Sequence, residues 1–205
     1  MFLDGLSRRW GRTGMNVLDV MAARRTTRAF GPQRPQRATV ESIIRNAGSA
    51  PSMRNDQPWR VRVFSGDPLA DLVQDAAAGE GRLAEARPLW PAAGLPSRLD
   101  PGMMRRSGLR FYEAPVGLLC TIPRGAGRVE WLEHGGFVYA IVLAACEYGL
   151  ASCIIGDFHG LDELLADCAD LDLAHEEISV GIGLGYAEDE RRFLVDRKPL
   201  AEIAT

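Results

Sequence analysis

Residues 130–148 carry apolar side chains on nearly every side of a helix, and this stretch limits the folds open to the chain more than any other. A helix apolar all round has to be buried, in the centre of a domain or against a second subunit. Its natural companion is 115–122, Pro-Val-Gly-Leu-Leu-Cys-Thr-Ile. A continuous apolar run of that length predicts a central strand covered on both faces. A chain of 205 residues has limited core with which to wrap the whole of such a helix. A symmetric interface with a second copy would cover the remainder.

The other elements follow from periodicity and punctuation. Val17, Leu18, Val20 and Met21 form one helical stripe that stops near Arg24. Thr39 reads as the N-cap of a second helix with Val40, Ile43, Ile44 and Ala47 inward, ending near Gly48. Residues 59–64 alternate apolar and charged as a half-buried strand does, and Leu69, Leu72, Val73 and Ala76 suggest a third helix. Residues 153–155 and 178–182 supply two more short strands, joined by a helix around 161–165 and closed by Gly183, Gly185 and Tyr186. Glycine and proline recur through 79–101, a loop long enough to be a lid or an unstructured segment; over 79–110 we expect it to govern substrate choice. The order mixes α and β without strict βαβ repetition. It predicts an α+β fold, a central mixed sheet flanked by helices, as one domain over 15–205 behind a loosely held arm at 1–14.

Charge and cysteine usage narrow the function classes. A net charge of −3 and a pI near 5.7 exclude a chain whose main partner is a nucleic acid. Lys198 is the only lysine, so arginine carries nearly all the positive charge. Cys120, Cys146, Cys153 and Cys168 lie in apolar or helical stretches without C-x-x-C spacing, as reduced cysteines of a cytoplasmic protein do. No stretch approaches the ~20 uninterrupted apolar residues of a membrane span, and no secretory segment is expected. His134, His159 and His175 are far apart without ligand-spaced partners, so no metal site is expected. The glycines at 181, 183 and 185 lack G-x-G-x-x-G spacing and do not make a dinucleotide fingerprint.

Two segments could carry chemistry. Arg24, Arg25, Thr26, Thr27 and Arg28 place three guanidinium groups and two hydroxyls just past a helix, a set suited to phosphate oxygens. The alternative is a solvated basic turn. The second segment, 50–59, reads Ala-Pro-Ser-Met-Arg-Asn-Asp-Gln-Pro-Trp and runs from a helix end into a strand. Asn55 and Gln57 offer paired amide donors and acceptors of the kind a flat heteroaromatic ring with imide edges requires. The alternative is an Asx-rich turn that caps the strand.

In this order, and continued by Tyr148-Gly149-Leu150, by 153–158, by Gly183-Leu184-Gly185-Tyr186 and by Arg197-Lys198-Pro199-Leu200, these segments resemble the nitroreductase-like family of FMN-dependent oxidoreductases. The resemblance implies a homodimer built on the long helix and an FMN shared between subunits. Arg24, Arg25, Thr26, Arg28 and Arg197 would hold the phosphate and ribityl end. Pro51, Ser52, Met53 and Asn55 would reach the flavin from the partner, with Gln57 beside them. Gly156 and Asp157 match the turn over the reactive middle of the ring. The activity implied is ping-pong transfer of electrons from NADPH or NADH to a small molecule such as a nitroaromatic, quinone or enone. No side chain need act as acid or nucleophile.

The chain departs from the family pattern in four places: the bulky Met53-Arg54 pair, Gly156-Asp157 without the Glu-Gly order, Ala187 for a frequent proline, and Val195 for a lysine. Substrate and nicotinamide preference therefore stay open. So do two other roles, a flavin-dependent dehydrogenase, oxidase or reductive dehalogenase on the same fold, and an FMN-binding protein without turnover.

Overall fold

The computed structural model describes residues 16–78, 107–188 and 198–203. The elements run α1 (Val17–Ala23), α2 (Arg37–Ala47), β1 (Arg60–Phe64), α3 (Asp67–Ala78), β2 (Val116–Pro123), α4 (Arg128–Glu147), β3 (Ala151–Ile155), α5 (Asp162–Leu165) and β4 (Glu176–Gly185), with short 3-10 turns between them. The arm at 1–14 lies outside the described residues, as do all of 79–101 and most of the 79–110 span.

The sheet has the order β1-β2-β4-β3. Among the described residues its four strands all pair antiparallel, where a mixed sheet was expected. Strands β2 and β3 do run parallel, as a strand–helix–strand crossover through α4 requires, but β4 inserts between them and makes both pairings antiparallel. Among the described residues the parallel contribution is one bridge, from Thr26 to Ser152 at the β3 edge.

Strand β2 is buried along its length up to Ile122, as its apolar run predicts, because helices cover both faces. On one side Val116, Leu118 and Cys120 join Phe137, Val138, Ile141 and Val142 of α4 and Val40 and Ile43 of α2. On the other, Leu119 joins Leu72 of α3, Leu165 of α5 and the turn residues Phe111 and Phe158. The architecture is thus α+β, two helical layers around one sheet. Helix α4 has the length and apolarity of a membrane span. Its inward face is nevertheless packed on the sheet, while Leu132 and Tyr139 face outward at 78% and 41% exposure.

Two boundaries move for identifiable reasons. Helix α2 begins at Arg37 and not after Thr39, since Gln36 holds extended geometry and its carbonyl already accepts the Thr39 and Val40 amides at 3.0 and 3.2 Å. Strand β4 continues through the glycines expected to close it. Gly181, Gly183 and Gly185 share one face of the strand, and the turn residues press against them. A Cβ on Gly181 would lie 2.5 Å from the Phe158 ring, and one on Gly183 would lie 2.9 Å from the Phe111 carbonyl oxygen. These glycines serve close packing and not a turn.

Candidate functional site

The segment 24–28 leaves α1 in extended geometry and runs beside β3. Asn16 caps the start of α1 by accepting the Leu18 and Asp19 amides at 2.9 and 3.1 Å. At the other end the Arg25 guanidinium donates to the carbonyls of Ala22 and Arg24, which ties that side chain to the helix terminus. The Thr27 amide donates to the Ser152 carbonyl at 2.9 Å and fixes the segment on the sheet edge. Arg24 and Arg25 form no ion pair with a carboxylate among the described residues. Among the described residues no carboxylate therefore competes with a phosphate dianion for these two guanidinium groups.

Arg28 stands over the ring of Tyr112, 5.6 Å from its centroid. Burial pushes the Tyr112 hydroxyl above its ordinary range, and a hydrogen bond with Arg28 acts against that rise. Tyr112 belongs to a run of three residues with positive φ, Phe111 at 53°, Tyr112 at 53° and Glu113 at 61°. Such backbone costs roughly 1–3 kcal/mol per residue and persists only where the surroundings enforce it. The anchor here is Phe111, fully buried against Phe158 with centroids 4.5 Å apart. Gly156 and Asp157 begin the turn that carries Phe158 and lie half-buried at the end of β3. Arg28, Tyr112, Cys153 and Asp157 thereby form one neighbourhood. Burial pushes the Cys153 thiol up to about 11; the Arg28 charge acts against that rise and the Asp157 charge adds to it, so the thiol is no nucleophile.

The segment 51–57 lies elsewhere. It enters β1, the opposite edge of the sheet from β3. Three strand spacings, about 14 Å, separate the two edges. Asn55 and Gln57 expose their amides, and Gln57 Nε2 donates to Asn55 Oδ1 at 3.1 Å. The Gln57 amide donates to Ser52 Oγ at 3.0 Å, closing the loop. Arg54, Asn55 and Gln57 hold φ of 55°, 63° and 44°. Two contacts with α4 hold this backbone in place. The Met53 amide donates to Glu133 Oε1 at 2.5 Å, and Trp59 stacks on Phe137. Pro51 and Met53 are exposed, and Ser52 is half-buried.

The expectation thus gathers on two separate edges: Arg24, Arg25, Thr26, Arg28, Gly156 and Asp157 at β3, and Pro51, Ser52, Met53, Asn55 and Gln57 at β1. Arg197 lies outside the described residues. Tyr112, Glu133 and Phe137 were not anticipated. Each acts through a contact distant in sequence, and only the placement of Glu133 one turn before Phe137 hints at a shared helix face.

Beside the β1 segment opens a cleft of about 580 Å³ whose lining includes Gln57, Trp59, Arg62, Thr121, Asp172 and Glu176. Its floor is a satisfied polar network. Arg62 pairs with both Glu176 oxygens at 2.5 and 3.0 Å, and the Thr121 hydroxyl donates to Glu176 Oε2 at 2.6 Å. Burial alone would raise the Glu176 carboxyl; Arg62, Thr121 and the Asp172 amide overcome it and hold it at about 2.

The Nitroreductase family model matches residues 21–186. A 4-nitrobenzoate reductase of Pseudomonas putida is 33% identical over 196 residues, covering 83% of this chain and 85% of the relative. The nitroreductase NfnB of Mycolicibacterium smegmatis is 30% identical over 197 residues, covering 83% and 82%. A solved variant of the FMN and NADPH-dependent nitroreductase NfnB from sphigopyxis sp. strain HMH superposes with a TM-score of 0.77 at 25% identity, over 93% of this chain and 98% of that one. With both motif segments and the sheet that carries them inside the matched residues, the chain belongs to the Nitroreductase family.

Proposed function

We propose that this chain is an FMN-dependent reductase of nitroaromatic compounds, working as a homodimer in which each flavin is held by both subunits. The observation that carries the reading is the separation of the two motif segments onto opposite edges of one sheet. A single subunit does not bring them around one ligand, whereas a two-fold arrangement sets one edge against the partner's other edge. The outward stripe of α4 supplies a surface for that arrangement. Leu132 and Tyr139 are exposed there, and Gly135 and Gly136 between them have no atom near where a Cβ would stand.

Within the site, Arg24 and Arg28 would neutralise the phosphate and Thr26 would supply a hydroxyl, on a segment pinned to β3. The amides of Asn55 and Gln57 and the exposed backbone of the strained loop would meet the edge of the ring from the other subunit. Bound FMN supplies the two-electron chemistry, taken from NADPH and passed to the acceptor in turn. The relatives named for nitrobenzoate reduction and for FMN and NADPH dependence support donor and acceptor. The protein's part is orientation and charge, so no acid or base is assigned.

The reading is tested on the purified full chain. We expect flavin absorbance, bleaching by NADPH under nitrogen, and recovery on addition of 4-nitrobenzoate. Light scattering with flavin fluorescence over a dilution series should show FMN release in step with dissociation of the dimer. A stable monomer that keeps one tightly bound FMN sinks the shared site, and a protein that binds no flavin sinks the whole reading.

A further inference from the structure

We propose that Glu133 is a positioning residue for the flavin-facing segment, holding the backbone of 52–57 in its strained form from a helix that does not itself enter the site. The inference rests on the FMN reading above and goes beyond it by assigning a role to a side chain outside both motif segments.

The argument starts from the backbone. Positive φ at Arg54, Asn55 and Gln57 is costly for residues with a Cβ, and within the loop only short-range bonds oppose that cost: the Asn55 and Asp56 amides donate to the Ser52 and Met53 carbonyls at 3.1 Å, beside the Ser52–Gln57 and Asn55–Gln57 contacts. The contacts from outside the loop come from α4. Glu133 and Phe137 are four residues apart, hence on one face of that helix. Glu133 Oε1 accepts the Met53 amide at the start of the strained turn, and Phe137 receives Trp59 at its end. The two contacts fasten both ends of the segment to one rigid helix, with Arg54, Asn55 and Gln57 between them.

The chemistry of the first fastening is specific. A carboxylate accepting a backbone N–H makes a charge-assisted bond, stronger than one to a neutral acceptor. It also fixes which way the Ser52–Met53 peptide faces. With the Met53 amide turned to Glu133, the chain beyond it places the Asn55 and Gln57 amides on the exposed side. Glu133 therefore acts through Met53 and touches no ligand. Because α4 also carries the outward stripe proposed as the dimer interface, a segment fastened to it would be delivered to the partner's site in a fixed register.

The test compares the wild-type chain with Glu133→Gln and Glu133→Ala. FMN affinity is read by fluorescence titration, the thermal midpoint without flavin by calorimetry, and exchange of the Met53 amide by hydrogen-exchange NMR. Glu133→Ala should bind FMN about tenfold more weakly, with faster Met53 exchange and a thermal midpoint close to wild type. Glu133→Gln keeps an oxygen acceptor and should recover most of the affinity and protection. Equal FMN affinity in Glu133→Ala and wild type overturns the proposal, and so does a Glu133→Gln variant as weak as Glu133→Ala. If Glu133→Ala does not fold, Glu133→Gln decides: protected Met53 exchange with near-normal affinity supports the role, and lost protection with normal affinity overturns it. A wild-type chain that binds no FMN defeats the flavin reading instead. Met53 exchange in the variants then shows whether the fastening itself exists.

Discussion

Trp59 lies flat on Phe137, with ring centroids 4.7 Å apart and planes 7° from parallel. The stack joins the last residue before β1 to the inward face of α4, so it serves the core and the amide-rich segment together. Replacing Trp59 by leucine removes the ring contact, worth about 0.5–1.5 kcal/mol, and part of the buried apolar area. We expect a total loss of roughly 1–3 kcal/mol in urea unfolding with an unchanged denaturant slope, and less than half of that loss for Trp59→Phe.

Arg24→Ala and Arg28→Ala should each weaken FMN binding by about 10–150-fold, the equivalent of roughly 1.5–3 kcal/mol for a charge-assisted contact. Arg25→Ala should weaken it less, since that guanidinium is engaged with the carbonyls that end α1. Equilibrium dialysis of the three variants against FMN checks the ranking. Equal effects at all three positions would mean that the segment acts as a diffuse basic patch.

His134 gives a pH signature of its own. The ring is buried beside Ser179, with Nε2 and Oγ 2.6 Å apart, while the Ser179 hydroxyl donates to the Cys120 carbonyl. That arrangement assigns the proton to Nε2. Burial lowers the pKa from 6.5 to about 4. The folded protein therefore resists a proton that the unfolded chain accepts, and stability present above pH 6.5 is lost as pH falls toward 4, on the order of 3 kcal/mol in all. Thermal midpoints of wild type and His134→Gln measured between pH 7 and 4 should diverge from one another; parallel curves refute the assignment.

Glu176 loses its contribution in a lower window. Its carboxyl is held at about 2 against an ordinary value of 4.5, so its stabilisation is complete above pH 4.5 and disappears as pH falls toward 2. Glu176→Gln should flatten the stability curve in that interval and leave the His134 interval unaltered. At pH 7, Glu176→Ala should cost roughly 1.5–3 kcal/mol, since it leaves Arg62 with the Asp170 carbonyl but without its carboxylate.

Much of this was legible in the residues themselves. The apolar run of β2 predicted its burial, the apolar pattern of α4 predicted the inward face that packs on the sheet, and the motif segments predicted where charge and amides would be found. What escaped had tertiary causes. The insertion of β4 between β2 and β3 cannot be read from either strand's pattern, yet it decides that the sheet is antiparallel. Thr39 resembles an N-cap because it precedes an apolar face, but the helix starts where the Gln36 carbonyl is free to accept. Glu133 looks like any acidic residue near a helix start; its meaning comes from an amide 80 positions earlier in the chain. The same holds for Tyr112, which only the fold brings beneath Arg28.

The glycine face of β4 has a consequence for how such a chain can change over time. On the α2 and α4 side the sheet is cushioned by branched aliphatic chains, and one can be exchanged for another of similar volume with small adjustments nearby. On the other side the turn residues Phe111 and Phe158 rest almost directly on strand backbone. No smaller side chain exists to replace a glycine there, and any larger one must displace a buried ring. Sequence drift is therefore open on the first side and closed on the second. The side closed to drift carries the Phe111–Glu113 and Gly156–Phe158 turns that place Tyr112 and Asp157. The aliphatic side can be repacked while these two turns keep their spacing.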